Sequence, residues 1–460
     1  MTLGRIFAVG VMVLAAMVVT VRESWSVDVQ SAILENGMKV VVVPDHRAPV
    51  VVHSVWYTVG SVDEQTGHTG LSHMLEHMMF KGTDKYPYQT MDKIIQRNGG
   101  MQNAFTSRDM TVYHQTITKD KLPLMMDIEA DRMEGLKITD ALLKPEKDVV
   151  LEERRMRTDS RPQSRFFEKL LKAHYPHHPY GNPVIGWEED IKAYALQPML
   201  AWYRRHYAAN NAMLLLVGDV ELPEVLDMAK PIYGTIKARD DVPTRETYVE
   251  PARDAPVVLG EVDKDVKVPV FYQVYRTPSW FQGVAGAPPN HKDVVALRVL
   301  AEVLGGSDAA RLYQHLVVAQ GLADAASADH DMISSFESSL DVFVSPKPDV
   351  TLDRIAEAVE LEIKTLQTTL VDEGELRRAK ASILADVVYG MDDNDGLMYQ
   401  VGSWVLAGGK PDEVTSWQKP LEAVTAADVR RVAKAYLVPA SRTTGMLVQN
   451  KGQFGKALPQ

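Results

Sequence analysis

The chain of 460 residues contains no cysteine. That absence excludes disulfide scaffolds, thiolate metal sites, iron–sulfur clusters, cysteine nucleophiles and lipid attachment through a cysteine. Any metal must be held by His, Asp and Glu. Basic residues are outnumbered as well, with 50 Lys and Arg against 61 Asp and Glu and a formal net charge of -11. No basic run occurs, so a sequence-blind grip on nucleic acid phosphates is excluded as the main function. Long apolar runs are equally scarce. The uncharged stretch from Ile6 to Val21 has 16 residues, short of the roughly 20 that span a bilayer comfortably.

That stretch follows a single positive charge at Arg5 and precedes Arg22, Glu23 and the small residues Ser24 and Ser26 around Trp25. Residues 1–26 therefore read as a secretory signal peptide, with export to the periplasm of a Gram-negative bacterium as the best fit. An uncleaved inner-membrane anchor is the alternative. No stable membrane span is expected once the signal is removed.

What remains is ordinary globular composition, 45% hydrophobic and 24% charged, and about twice the usual length of a domain. The sequence repeats its own plan. QPMLAWYRRHYAANNAMLLLVGDV from Gln197 reads as helix, polar turn and apolar strand, and TAADVRRVAKAYLVPASRTTGMLVQ from Thr425 does the same. Upstream, VVHSVWYTVGS from Val51 leads into a helix at Leu71, as VPVFYQVYRTPS from Val268 leads into DVVALRVLAEVLGG. Between the copies, the charged, proline-containing stretch from Lys237 has no sustained period and reads as a linker. The expected fold is α+β: two homologous domains, each a mainly antiparallel sheet packed with helices. Their expected bounds are 27–240, a linker at 241–256, and 257–460.

The sharpest local signal is GLSHMLEHMMFKGT, from Gly70 to Thr83. Thr69 offers an N-cap and Gly82 a stop, so a helix of about three turns is expected. His73 and His77 are then four apart on one face, with Glu76 beside them. Leu71, Met74, Leu75, Met78 and Met79 cover the other sides, leaving a polar stripe on a buried helix. Such a stripe needs partners. A divalent cation satisfies both imidazoles and leaves Glu76 to act on a water. Pairing of the same three side chains with solvent or with a local carboxylate is the plainer reading of the five residues alone.

With its flanks included, GLSHMLEHMMFKGT closely resembles the inverted-zincin helix of the pitrilysin/insulinase superfamily of metallopeptidases, particularly the branch with mitochondrial processing peptidase and its bacterial relatives. GGMQNAFTSRDMTVYH from Gly99 is similar to that family's peptide-binding edge strand, and HPYGNPVIGW from His178 to one of its loops. The resemblance implies a zinc endopeptidase with one Zn2+ per chain, ligated by His73, His77 and a glutamate on a second helix. It also implies another glutamate two turns earlier on that helix. PEKDVVLEERRMR from Pro145 supplies both, with Pro145 suiting a first turn: Glu153, 76 positions after His77, as ligand, and Glu146 as the carboxylate orienting a histidine. Glu152 points about 100° away on an ideal helix, which favours Glu153. Glu76 becomes the general base. Asn103, Ala104 and Phe105 become the edge that pairs with an extended peptide.

Other features carry less. His174, His177 and His178 are interrupted by Pro176 and Pro179 and read as a structural loop. Met74, Met78, Met79, Met125 and Met126 read as core filler. The second half has no H-x-x-E-H. In relatives that complete their own site, the segment matching DAARLYQHLVVAQGLADAAS from Asp308 carries an arginine and, seven residues later, a tyrosine. With Gly321, Leu322 and Ala323 as register marks, those positions hold Val317 and Asp324 here. Arg311 and Tyr313 lie earlier and are expected to pack in a helix. The resemblance thus implies a heterodimer, two half-shells in which a homologous subunit lacking the zinc motif supplies the arginine and tyrosine. A noncatalytic scaffold subunit and a self-sufficient homodimer are the competing readings.

Overall fold

The computed structural model describes residues 27–456; the signal peptide expected at 1–26 lies outside them. The first sheet is built from β1 (Gln30–Ile33), β2 (Lys39–Pro44), β3 (Val50–Tyr57), β4 (Met101–Thr106), β5 (Thr111–Thr118) and β6 (Ala212–Gly218), in the order β1-β2-β6-β3-β5-β4. The second contains β7 (Val257–Val262), β8 (Val270–Thr277), β9 (Ala323–His330), β10 (Ser338–Pro346) and β11 (Arg442–Val448), in the order β7-β11-β8-β10-β9. Without β1, the two orders are one topology. Each sheet has a single parallel pair, β2 with β6 and β7 with β11, and is otherwise antiparallel. The repeated helix-then-strand ends are Leu196–His206 before β6 and Ala426–Tyr436 before β11.

The strands form where Val, Leu and aromatic side chains can be buried on both faces, and β6 is accordingly apolar throughout, AMLLLVG. On one face of the first sheet, Val40, Val42, Val55 and Leu214 pack with the helices of their own half, Leu71–Met78, Leu122–Gly135 and Leu196–His206. The alternate residues Val41, Val43, Trp56 and Leu215 join the core of the second half instead. The helix Asn394–Leu406 packs there against β3 and β6. The favour is returned: the first-half helix Pro162–His174 packs on β7 and β11, with Phe166 against Val270 and Leu447. Each sheet is therefore closed by a helix from the other half.

The segment between the halves has no helix or strand but is pinned. Arg245 donates to Asp63 at 2.9 and 2.7 Å, and Glu250 accepts from the amides of His177 and His178 at 3.0 and 2.8 Å. His174 and His178 are buried in this seam, His174 bonding Thr443 of β11 at 2.9 Å. The expected core methionines, Met74, Met78, Met79, Met125 and Met126, are all fully buried.

Candidate metal centre

The helix Leu71–Met78 begins differently from the expectation. Gly70, at φ 82°, is the N-cap, because the Thr69 hydroxyl is engaged elsewhere, donating to Asp190 at 2.6 Å. The exposed amides at the helix start are taken by Glu64, a buried carboxylate that accepts from Gly70 N at 2.6 Å and Ser72 N at 2.7 Å. The helix then runs into a 3-10 turn, Met79–Lys81, and stops at Gly82 with φ 94° as expected. The second helix also starts earlier than expected. It spans Asp140–Arg154 with Thr139 as N-cap, so Pro145 lies inside it and not in its first turn. Past Arg154 the winding widens into a π-helical turn, Arg155–Asp159.

These two helices face each other. The Nε2 atoms of His73 and His77 both approach Glu153 Oε2, at 3.6 and 3.3 Å. The three ligand atoms lie within 4.8 Å of one another, and no other cluster of this kind occurs among the described residues. Tetrahedral ligands about 2.1 Å from a zinc ion stand about 3.4 Å apart, so the observed spacings fit such an ion. Two imidazoles and one carboxylate are also the donor chemistry zinc favours. The second Glu153 oxygen accepts from Arg157 at 2.6 Å. Glu152, in the cavity wall, pairs with Arg155 and is not part of the cluster.

Glu146 accepts from His77 Nδ1 at 2.9 Å. A carboxylate can only accept, so Nδ1 carries the proton and Nε2 presents its lone pair to the cluster when the ring is neutral. Lys81, one turn after His77, holds the other Glu146 oxygen. Among the described residues His73 has no such orienting partner; its Nδ1 is buried and unpaired there. Burial, and then the neighbouring His77, push His73 down to about 4. Burial alone would lower His77 too, but its bonds to Glu146 and Glu153 override that and push it up to about 9. Carboxylates at both edges of one ring favour a positive charge there, which a proton or a metal cation can supply.

Glu76 stands beside this cluster. Burial raises its carboxyl, and the Thr106 hydroxyl, donating to Oε2, opposes the rise. Thr106 is on β4 two residues after Ala104, on the face turned to the helix. Among the described residues β4 is the last strand of the sheet and pairs only with β5. On its exposed edge, the Ala104 amide donates to the side-chain Oδ1 of the neighbouring Asn103 at 2.9 Å. The Phe105 ring points to the opposite face, against Trp56 and Tyr399 at centroid distances of 5.9 Å each. A cavity of about 760 Å3 lies between β4 and the Asp140–Arg154 helix, with His73, Glu76, His77 and Glu153 in its wall.

Sequence reasoning missed Glu64, Thr106, Lys81 and Arg157. Lys81 and Arg157 were findable, each four residues after a candidate ligand on a helical face. Thr106 required the strand phase, and Glu64 required the loop before the helix. In the second half, Arg311 pairs with Glu375 at 2.7 Å as expected of a structural residue. Val317 packs against the core and Asp324 is exposed on β9.

Residues 39–188 match the family model described as Insulinase (Peptidase family M16), and residues 195–383 that described as Peptidase M16 inactive domain. Over 420 residues the chain is 29% identical to the zinc protease PqqE of Helicobacter pylori, covering 91% of this chain and 92% of that one. The fold matches the crystal structure of a protease from Helicobacter pylori with a TM-score of 0.85 at 27% identity, over 92% of this chain and 100% of that one. It also matches the periplasmic protease PqqL of Escherichia coli with a TM-score of 0.78 at 20% identity, over 94% of this chain but 48% of that longer one. A buried inverted H-x-x-E-H helix, two sheets of one topology and matches across both halves lead to one statement: the chain belongs to the insulinase family of peptidases, family M16.

Proposed function

We propose that the chain is a zinc endopeptidase acting on peptides or unfolded protein segments. His73, His77 and Glu153 hold one zinc ion, Glu76 is the general base, and Glu146 orients His77. The observation that carries this reading is the convergence of three ligand atoms within 4.8 Å beside the half-buried Glu76 carboxylate. When bound, zinc supplies a Lewis acid that polarises a carbonyl and lowers the pKa of water there to roughly 7. Glu76 takes a proton from the attacking water and passes it to the departing amine. Thr106 fixes one Glu76 oxygen and so aims the other at the cleft. An extended substrate pairs its backbone with the edge of β4 at Asn103, Ala104 and Phe105, displacing Asn103 from the Ala104 amide. Folded proteins do not present such a strand.

The partner is a homologous subunit without the zinc motif, which donates an arginine and a tyrosine. In support, this chain has Val317 and Asp324 where those donors are expected, and Asp324 would repel a developing oxyanion. The PqqL chain, about twice as long, has the length of two such units joined. Export to the periplasm by residues 1–26, with retention as an inner-membrane anchor as the second reading, accords with the periplasmic description of PqqL. No helix among the described residues is long and apolar enough to cross a membrane.

Elemental analysis and peptide turnover test the site together. Wild-type protein should hold one zinc per chain, and Glu153→Ala should lose it. Glu76→Gln should keep its zinc while turnover falls by about 10²–10⁴-fold. Full zinc in Glu153→Ala would reassign that ligand, and retention of more than about a tenth of activity in Glu76→Gln would end the general-base role. Activity that needs an added homologous subunit supports the heterodimer; full turnover by a partner-free preparation rules it out.

A further inference from the structure

Two large apolar side chains stand exposed in the wall of the proposed active cleft, Val149 at 49% and Met156 at 54%. They flank Glu153 on its own helix face, at i−4 and i+3, so both project toward the same cavity as the candidate ligands. Met156 belongs to the π-helical turn Arg155–Asp159, whose wider winding lies where the cleft wall is formed. Apolar groups of this size are normally covered, and leaving both in water forgoes the free energy of their burial. The opposite wall is small: Ala104 faces the helix from β4, with Phe105 turned to the other side of the sheet. The cavity of about 760 Å3 therefore has room between a small residue and two apolar ones.

Resting on the peptidase reading above, we infer that Val149 and Met156 are specificity-determining residues that seat one large aliphatic or aromatic side chain of the substrate beside the scissile bond. A peptide paired along β4 alternates its side chains between the two faces of the sheet. The row on the Ala104 and Thr106 side meets the Asp140–Arg154 helix. Its residue nearest the zinc ligands is held between Val149 and Met156.

The test uses the full-length Glu76→Gln protein loaded with zinc, so that binding is read without cleavage. The probes are fluorescent ten-residue Gly-Ser peptides with one varied central residue. Leu, Met or Phe at that position should bind at least about ten-fold more tightly than Ser or Asp, the gain expected from burying one such side chain. Adding Val149→Lys and Met156→Lys should remove that preference and favour Asp or Glu, with zinc content unchanged. Because both residues are exposed, the fold should tolerate the change, and the unchanged zinc content checks it. An affinity independent of the varied residue, or an apolar preference surviving the double substitution, would overturn the inference. Failure of the peptidase reading shows separately, as wild-type protein that binds the apolar peptides and does not cut them even with the homologous subunit added.

Discussion

The two halves share a sheet topology and differ in the helix that follows the third strand of the shared order. In the first half this helix, Leu71–Met78, carries His73, Glu76 and His77 and touches the edge strand β4 through the Glu76–Thr106 bond, with the cleft opening between β4 and the Asp140–Arg154 helix. In the second half the corresponding helix, His291–Gly305, is buried along nearly its whole length by Val294, Leu297, Leu300 and Leu304. It lies so close to the edge strand β9 that a side chain at Gly305 would collide with the Ala328 backbone. The candidate site lies where the helix turns polar groups toward a cleft beside the edge strand.

The largest expected effect comes from making the first helix resemble the second. His73→Leu with His77→Leu should abolish zinc binding and reduce turnover by about three orders of magnitude or more. Stability of the metal-free protein should change by no more than about 1 kcal/mol, because Glu153 retains Arg157 and Glu146 retains Lys81. Elemental analysis and thermal melting of the same preparation check both parts. Strong destabilisation would mean that the imidazoles hold the fold as well as the metal.

The exchanged helices offer a second comparison, because each crossing rests on a glycine. Gly402, on the helix that closes the first sheet, abuts the rigid Trp56 ring, whereas a Cβ at Gly445 of β11 would meet flexible Leu170 at 2.8 Å and Phe166 at 3.0 Å. Gly402→Ala should therefore cost about 2–3 kcal/mol and Gly445→Ala about 1 kcal/mol in denaturant unfolding. Equal costs would show that the two crossings yield alike.

A third effect, on pH dependence, is spread over several groups and shared by both halves. Burial first, then nearby arginines, push His178 down to about 3 and His206 to about 4; in the second half burial pushes His330 down to about 4. Below about pH 6.5 the unfolded chain takes up protons that these buried rings refuse, so stability falls as pH drops. Each histidine contributes at most about 1.4 kcal/mol per pH unit in the window between 6.5 and its folded value. Unfolding midpoints at pH 7, 6 and 5 measure the slope; a flat profile would mean that these groups are not held neutral.

Much of this was legible locally. A period of 3.6 puts His73, Glu76 and His77 on one face wherever that helix is placed, and a spacing of seven does the same for Glu146 and Glu153. Alternation and apolar runs marked β3, β6, β8 and β11. The caps were less legible: Thr69 is a good N-cap by type, but Asp190 takes its hydroxyl and Glu64, from the preceding loop, takes the amides. Pro145 looked like a first-turn residue, yet Thr139 opens the helix earlier.

By itself the sequence determined which side chains share a face within an element, because backbone geometry fixes those relations over a few residues. Only the tertiary structure decided which faces meet. It brought Glu153 Oε2 to both imidazoles, set Thr106 against Glu76, left Val149 and Met156 uncovered in the cleft, and closed each sheet with a helix from the other half. Those contacts join residues tens to hundreds of positions apart, and they depend on how whole surfaces pack, which no local period encodes.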